Sequence, residues 1–129
     1  MQFLNTGIYD NENTNSSVIY LNYNNYKFLF MGDASSEKEK DILGKYNLTN
    51  IDFLKVGHHG SNTSSSKVFI DSINPKYSLI SVGKNNMYGH PKDSVLGILK
   101  NSKIYRTAQD GSIEIKINKN KYKIRTCNP

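Results

Sequence analysis

Phe53-Leu54-Lys55-Val56-Gly57-His58-His59-Gly60-Ser61 is an apolar run of strand length that stops at two adjacent histidines, each flanked by a glycine. Thr63, Ser64, Ser65 and Ser66 follow at once. A short apolar run bounded by glycine reads as a buried strand, and a small polar cluster after it reads as a loop running into a helix N-terminus. The imidazoles then stand at a strand's carboxyl end. Glycines beside them permit close approach of a ligand or metal, and the free N–H groups of the next helix favour an anion such as phosphate.

The same unit occurs on either side. Upstream, Val18–Tyr23 and Tyr26–Met31 are two β-rich runs joined by Asn24-Asn25, a hairpin pattern whose second run ends in Gly32-Asp33. Ser36 followed by Glu39 forms a capping box, which predicts a helix to about Lys45 with Ser36 as N-cap. After the histidine loop, Ser65–Ile73 is predicted helical and is ended by Asn74-Pro75. Downstream, Tyr77–Val82 reads as a strand, Gly83–His90 as its loop, and Pro91 as the first turn of a helix reaching Leu99. Lys103–Arg106, a turn at Asp110-Gly111, and alternating runs over 112–118 and 121–126 complete the chain, the last two as an edge hairpin. The polar stretch 6–16 has no periodicity and reads as a loop.

Strands alternating with helices make an α/β or α+β layered domain, in which the loops after successive strands gather along one sheet edge. Those loops bring Asp33, then His58 and His59, then His90: the donor types of a zinc, iron or manganese site. Asp33 either ligates metal or caps the helix that follows it. Neighbouring side chains diverge, so the histidine pair divides its work. His59 is read as the ligand and His58 as a substrate-contacting group, with the reverse assignment open. Ser61, Asn62, Thr63 and Ser64 are candidate phosphate donors, and also ordinary loop residues. His90 is a candidate general acid, phosphate contact or ligand. Lys84, Asn85 and Tyr88 share its loop.

With 129 residues the chain fits one domain with a core of its own. Its 36% hydrophobic and 22% charged residues are those of a globular protein, and no apolar run approaches the roughly 20 residues that span a bilayer. No basic-then-apolar leader opens the sequence, so a soluble domain is expected. The single cysteine, Cys127, allows neither an internal disulfide nor a cysteine metal site. The net charge of +6 is concentrated late, where five of the residues from 112 to 126 are Lys or Arg and one is Glu. That basic hairpin is either a face for an anionic partner such as nucleic acid or a solvated surface.

Taken together, Asn15-Ser16-Ser17-Val18-Ile19-Tyr20-Leu21, Phe28–Ala34, Leu54–Ser61 with Thr63-Ser64-Ser65, Ile80–Gly83, Tyr88–Pro91, and Tyr105-Arg106-Thr107 with Asp110-Gly111 resemble the C-terminal half of the metallo-β-lactamase-like domain of ComEC-type DNA-uptake competence proteins. The resemblance implies a four-layered αββα sandwich with two divalent metals, zinc or manganese, and hydrolysis of phosphodiester bonds in DNA. It implies that Asp33 bridges the metals and that the histidine pair serves the second one. The family's leading His-x-His/Asp-x-Asp-His motif has no counterpart among the three histidines here, so this chain is expected to be a single partial domain over 1–129, a fragment or truncated product, inactive alone and with no metal of its own. The face that would meet the other half is expected to expose apolar surface and promote self-association. The parent family is membrane-associated. Two other readings accompany this one: a non-catalytic module binding nucleic acid or protein, and a hydrolase of another phosphodiester such as a cell-wall polymer.

Overall fold

The computed structural model describes residues 1–128. Strand β1 (Gln2–Phe3) pairs antiparallel with β2 (Ile19–Tyr23), which turns through Asn24-Asn25 into β3 (Tyr26–Phe30). Both turn asparagines have positive φ, 49° and 67°. A two-residue hairpin turn demands that conformation, and asparagine tolerates it. There follow α1 (Ser36–Lys45), β4 (Phe53–Lys55), α2 (Lys67–Ile73), β5 (Tyr77–Ile80), α3 (Asp93–Ile98) and β6 (Lys103–Arg106). A short α4 (Thr107–Asp110) leads into the hairpin of β7 (Ser112–Asn118) and β8 (Lys121–Cys127).

The main sheet has the order β1-β2-β3-β4-β5-β6 and is parallel from β3 onward. Parallel crossovers are right-handed almost without exception, and every step here moves one strand in the same direction, so α1, α2 and α3 share one face. Leu29, Leu54, Val56 and Ile80 point to that face and meet Ile42, Phe69, Ile70, Ile73, Val95 and Leu99 in a single core.

The opposite face is aromatic. Phe28, Phe53 and Tyr77 stand in register across β3, β4 and β5, with rings stacked at 4.7 and 5.4 Å. The terminal hairpin lies on this face as a separate two-stranded sheet. This corrects the expectation of an edge hairpin. Its inner positions, Ile113, Ile115, Ile117, Tyr122 and Ile124, are half-buried, and the aromatic face of β3–β5 gives Tyr122 the ring partners that draw the hairpin there. Tyr122 meets Phe53 edge-on at 5.3 Å, its hydroxyl lies 2.8 Å from that of Tyr77, and the Tyr26 hydroxyl donates to the Asn120 carbonyl at 2.6 Å. A helical layer, a sheet and a facing sheet are three layers of the expected αββα sandwich. Phe3, Tyr23 and Phe30, on the part of this face beyond the hairpin, remain exposed.

Two helix starts differ from the sequence reading. The α1 N-cap is Ser35, not Ser36, and Glu39 does not complete a capping box on its own helix. Its carboxylate, 1% exposed, instead accepts the N–H groups of Ser65 and Ser66 before α2. Burial pushes this carboxyl above the usual range, and the two N–H bonds act against that shift. The capping-box spacing was counted from Ser36, and with the cap one residue earlier at Ser35 it falls on Lys38, which leaves Glu39 free for α2. Pro91 lies before α3, whose N-cap is Lys92, and α2 begins at Lys67 with Ser66 as its N-cap. The 6–16 stretch is a loop with one short turn, held by Thr14 to Ser35 (2.8 Å) and by the Lys38 ammonium to the Ser16 carbonyl (2.7 Å).

Candidate functional site

The loops after β3, β4 and β5 emerge at one edge of the sheet and are laced together by main-chain bonds. His58 N–H donates to the Gly32 carbonyl (2.9 Å), Ser36 N–H to Thr63 (2.9 Å) and the Ser64 hydroxyl to Ala34 (2.8 Å). These bonds fix the Asp33 turn against the histidine turn. Lys92 N–H donates to the Gly60 carbonyl (3.0 Å) and ties the third loop to the second.

Gly60 is the tightest point. Its φ is +83°, and a Cβ there would stand 2.5 Å from Cβ of Pro91 and 3.0 Å from its Cα. Gly60→Ala is therefore expected to cost about 2 kcal/mol, from the left-handed backbone and from overpacking against a ring that cannot turn away. Urea unfolding checks this, with the displacement of the His90 resonances as a second readout; an unchanged midpoint would contradict it.

The two histidines both adopt left-handed backbone, with φ of 46° and 55°. Non-glycine residues held so cost on the order of 1–3 kcal/mol each and persist only where the surroundings over-determine them. The turn divides the pair. His59 Nδ1 lies 2.6 Å from the Ser81 carbonyl and so carries the proton, which leaves the Nε2 lone pair free on an exposed ring. His58 Nδ1 is 3.3 Å from the Thr63 hydroxyl. The His58 ring lies 6.5 Å from that of His59 and 6.1 Å from that of His90.

His90 is held by Asn86, whose side chain accepts the His90 N–H at 2.8 Å and donates to its carbonyl at 2.7 Å. The ring stacks on Tyr88 at 5.8 Å. Its Nδ1 is buried without a partner among the described residues. Burial lowers the imidazole's pKa, and Lys92, His58 and His59 add to the effect. His59, Asn86, Tyr88 and His90, with Val82 and Gly83, line a cleft of about 220 Å³.

Asp33 is half-buried; the α1 N-cap is Ser35, and the carboxylate makes no hydrogen bond among the described residues. Ser61 and Ser64 are buried and their hydroxyls hold the loop, through Thr63 and Ala34; Asn62 and Thr63 are exposed at its surface. Residues that sequence reasoning passed over complete the setting. Ser81 orients His59, Asn86 clamps His90, and the Thr107 hydroxyl closes on Val82 at 2.8 and 2.9 Å. Lys55 is half-buried on the aromatic face, its ammonium 3.3 Å from the Val56 carbonyl. Burial pulls its pKa down and the Asp33 charge acts the other way. A lysine inside an apolar strand run was the available signal.

Asp33 and the free His59 Nε2 have the donor chemistry of a divalent-metal site. Among the described residues, however, no three His, Cys, Asp or Glu side chains come together to hold an ion. The set is partial, and no reaction step can be written through a metal on these residues alone. No helix among the described residues is long and apolar enough to cross a membrane.

Comparison with known proteins gives a consistent result. The profile of the Metallo-beta-lactamase superfamily matches residues 2–84. The chain is 36% identical over 105 residues to "ComE operon protein 3" of Bacillus subtilis, covering 80% of this chain and 14% of that protein. It is 36% identical over 107 residues to "Competence protein ComA" of Neisseria gonorrhoeae, covering 80% and 15%. It is 34% identical over 109 residues to "Recombination protein 2" of Haemophilus influenzae, covering 81% and 13%. The chain thus spans about one seventh of the length of these relatives, and it matches competence proteins of the ComEC type.

Proposed function

The chain belongs to the metallo-β-lactamase superfamily, and from that premise we propose that it is the C-terminal part of a metal-dependent phosphodiesterase or nuclease domain associated with DNA uptake. The observation that carries this reading is the lacing of the Asp33 turn to the histidine turn, with the His59 tautomer set by Ser81 so that Nε2 faces outward. The superfamily implies divalent metals in the complete domain. Asp33 and His59 would supply two donors to them, and further donors would come from polypeptide outside this chain. Bound metals of this kind activate water and stabilise developing charge on a phosphoryl oxygen.

The chain's own residues then have distinct tasks. Asn62 and Thr63 are exposed beside the donors and would bind phosphate oxygens. His90, its pKa lowered by burial, would contact substrate beside His58, and its imidazole would accept a proton rather than donate one. Lys55, whose ammonium donates to the Val56 carbonyl, adds a positive charge that acts on Asp33.

This reading is tested on the chain itself by adding substoichiometric Mn²⁺ to ¹⁵N-labelled protein and following line broadening. The expected result is broadening concentrated at 32–34 and 57–60 and lost in Asp33→Ala. Broadening elsewhere, or unaffected by that change, would count against it. The second reading, a non-catalytic interaction module, rests on the exposed lysines and arginine of the terminal hairpin. It requires partner binding that is indifferent to Asp33→Ala.

A further inference from the structure

The outward face of the terminal hairpin has no role in the site described above. Strict alternation sends Ser112, Glu114, Lys116 and Asn118 of β7 and Lys121, Lys123, Arg125 and Cys127 of β8 to solvent, all exposed. Lys119 projects from the turn between them, also exposed. The hairpin thus presents five cations and one carboxylate. The register sets Glu114 opposite Arg125, but it sets Lys116 directly opposite Lys123. Like charges opposed across an antiparallel pair destabilise it. None of these cations forms an ion pair among the described residues, where the one such pair is Lys67–Asp71. A solvated sheet face optimised for folding alone would place acids between these lysines. This one keeps a charge pattern that an anionic partner would relieve.

The geometry adds a direction. Residues of like orientation on a strand are about 7 Å apart, so Lys121, Lys123 and Arg125 form a straight row. Tyr122 packs over Tyr77 at the start of β5, while Cys127 bridges Gly111, the residue that ends the single turn of α4 leading on from the carboxyl end of β6. The row therefore runs along the main sheet toward the edge that carries Asp33, His59 and His90.

We propose that the outer face of β7–β8 is a binding track for the phosphate backbone of a DNA strand, leading it to the candidate site. This deepens the functional reading, on which it rests for its substrate; the binding itself needs no metal. Recognition is electrostatic and independent of sequence, with about four phosphates neutralised, which corresponds to a slope near −3 for log affinity against log salt on a single strand.

The test is fluorescence anisotropy of a labelled 20-nucleotide single-stranded DNA with the chain, in EDTA, between 50 and 200 mM NaCl. The wild type is expected to bind with a slope near −3. Lys116→Glu/Lys123→Glu, and separately Lys116→Gln/Lys123→Gln to guard against misfolding, are expected to lose at least tenfold and threefold in affinity. Lys40→Glu and Lys100→Glu, on α1 and after α3, should stay within twofold. Equal losses in all variants would overturn the proposal, since net charge alone would then explain binding, and so would unchanged affinity in the two hairpin variants. Polyglutamate competing as well as unlabelled DNA would overturn it in favour of an unspecific anion face. Because EDTA removes metal, failure here leaves the Mn²⁺ result standing, and failure of the Mn²⁺ result leaves this one standing.

Discussion

Replacing Phe53 by alanine is expected to lower the unfolding free energy by about 3–5 kcal/mol, the range for emptying a buried aromatic site. Phe53 is 1% exposed and lies at the centre of the aromatic face. Its ring stacks on Phe28 at 4.7 Å and on Tyr77 at 5.4 Å, and it receives the edges of Tyr122 at 5.3 Å and Tyr26 at 6.4 Å. Four partners, two on β3, one on β5 and one on the hairpin, cannot all collapse into the space left behind. A domain of this size has roughly 5–15 kcal/mol in total, so the loss is a large share. Urea unfolding measures it, and amide exchange in β7–β8 should accelerate because the hairpin docks through Tyr122. Phe30→Ala is the control. That ring is 40% exposed, and its loss should cost less than about 1 kcal/mol. A Phe53 deficit no larger than that of Phe30 would mean that the hairpin is not held by the aromatic stack.

Phe53 also illustrates what the sequence made legible. The order of strands and helices from 18 to 106 follows from punctuation: Asn24-Asn25 for the hairpin turn, Gly57 and Gly83 after strands, and Asn74-Pro75 after a helix. Each is a local constraint that the backbone must satisfy whatever surrounds it. The placement of β7–β8 is not local. Alternation at 112–126 marks one face to be buried, but an edge strand and a facing sheet bury it equally well, and only the aromatic face of β3–β5 decides between them. Glu39 belongs to the same class: it stands three residues after Ser36, but the helix is capped at Ser35 and the carboxylate is taken by Ser65 and Ser66.

The site was legible as a gathering of loops, because a parallel sheet with strands added in order leaves them nowhere else to go. Which histidine exposes a free nitrogen was not. That depends on two consecutive left-handed residues and on the Ser81 carbonyl, 22 positions away. The histidine count was legible too, since the chain contains only His58, His59 and His90. The orphaned His90 Nδ1 and the clamp by Asn86 appear only once the third loop is folded.

We propose that Asp33 and the histidine turn form part of a hydrolytic metal site. A chimera tests it most directly, with this chain replacing the 105-residue matching stretch of "ComE operon protein 3", so that the rest of the domain is supplied. Among the described residues Asp33 has no hydrogen-bond partner, and the α1 cap is Ser35, so its removal should leave folding nearly unchanged while removing a metal donor. The measurement is Mn²⁺-dependent cleavage of DNA by the purified chimera. Cleavage is expected to fall at least 100-fold in Asp33→Ala, which is about 2.7 kcal/mol of transition-state stabilisation, with the unfolding midpoint preserved. Cleavage that survives Asp33→Ala within a few-fold would contradict it.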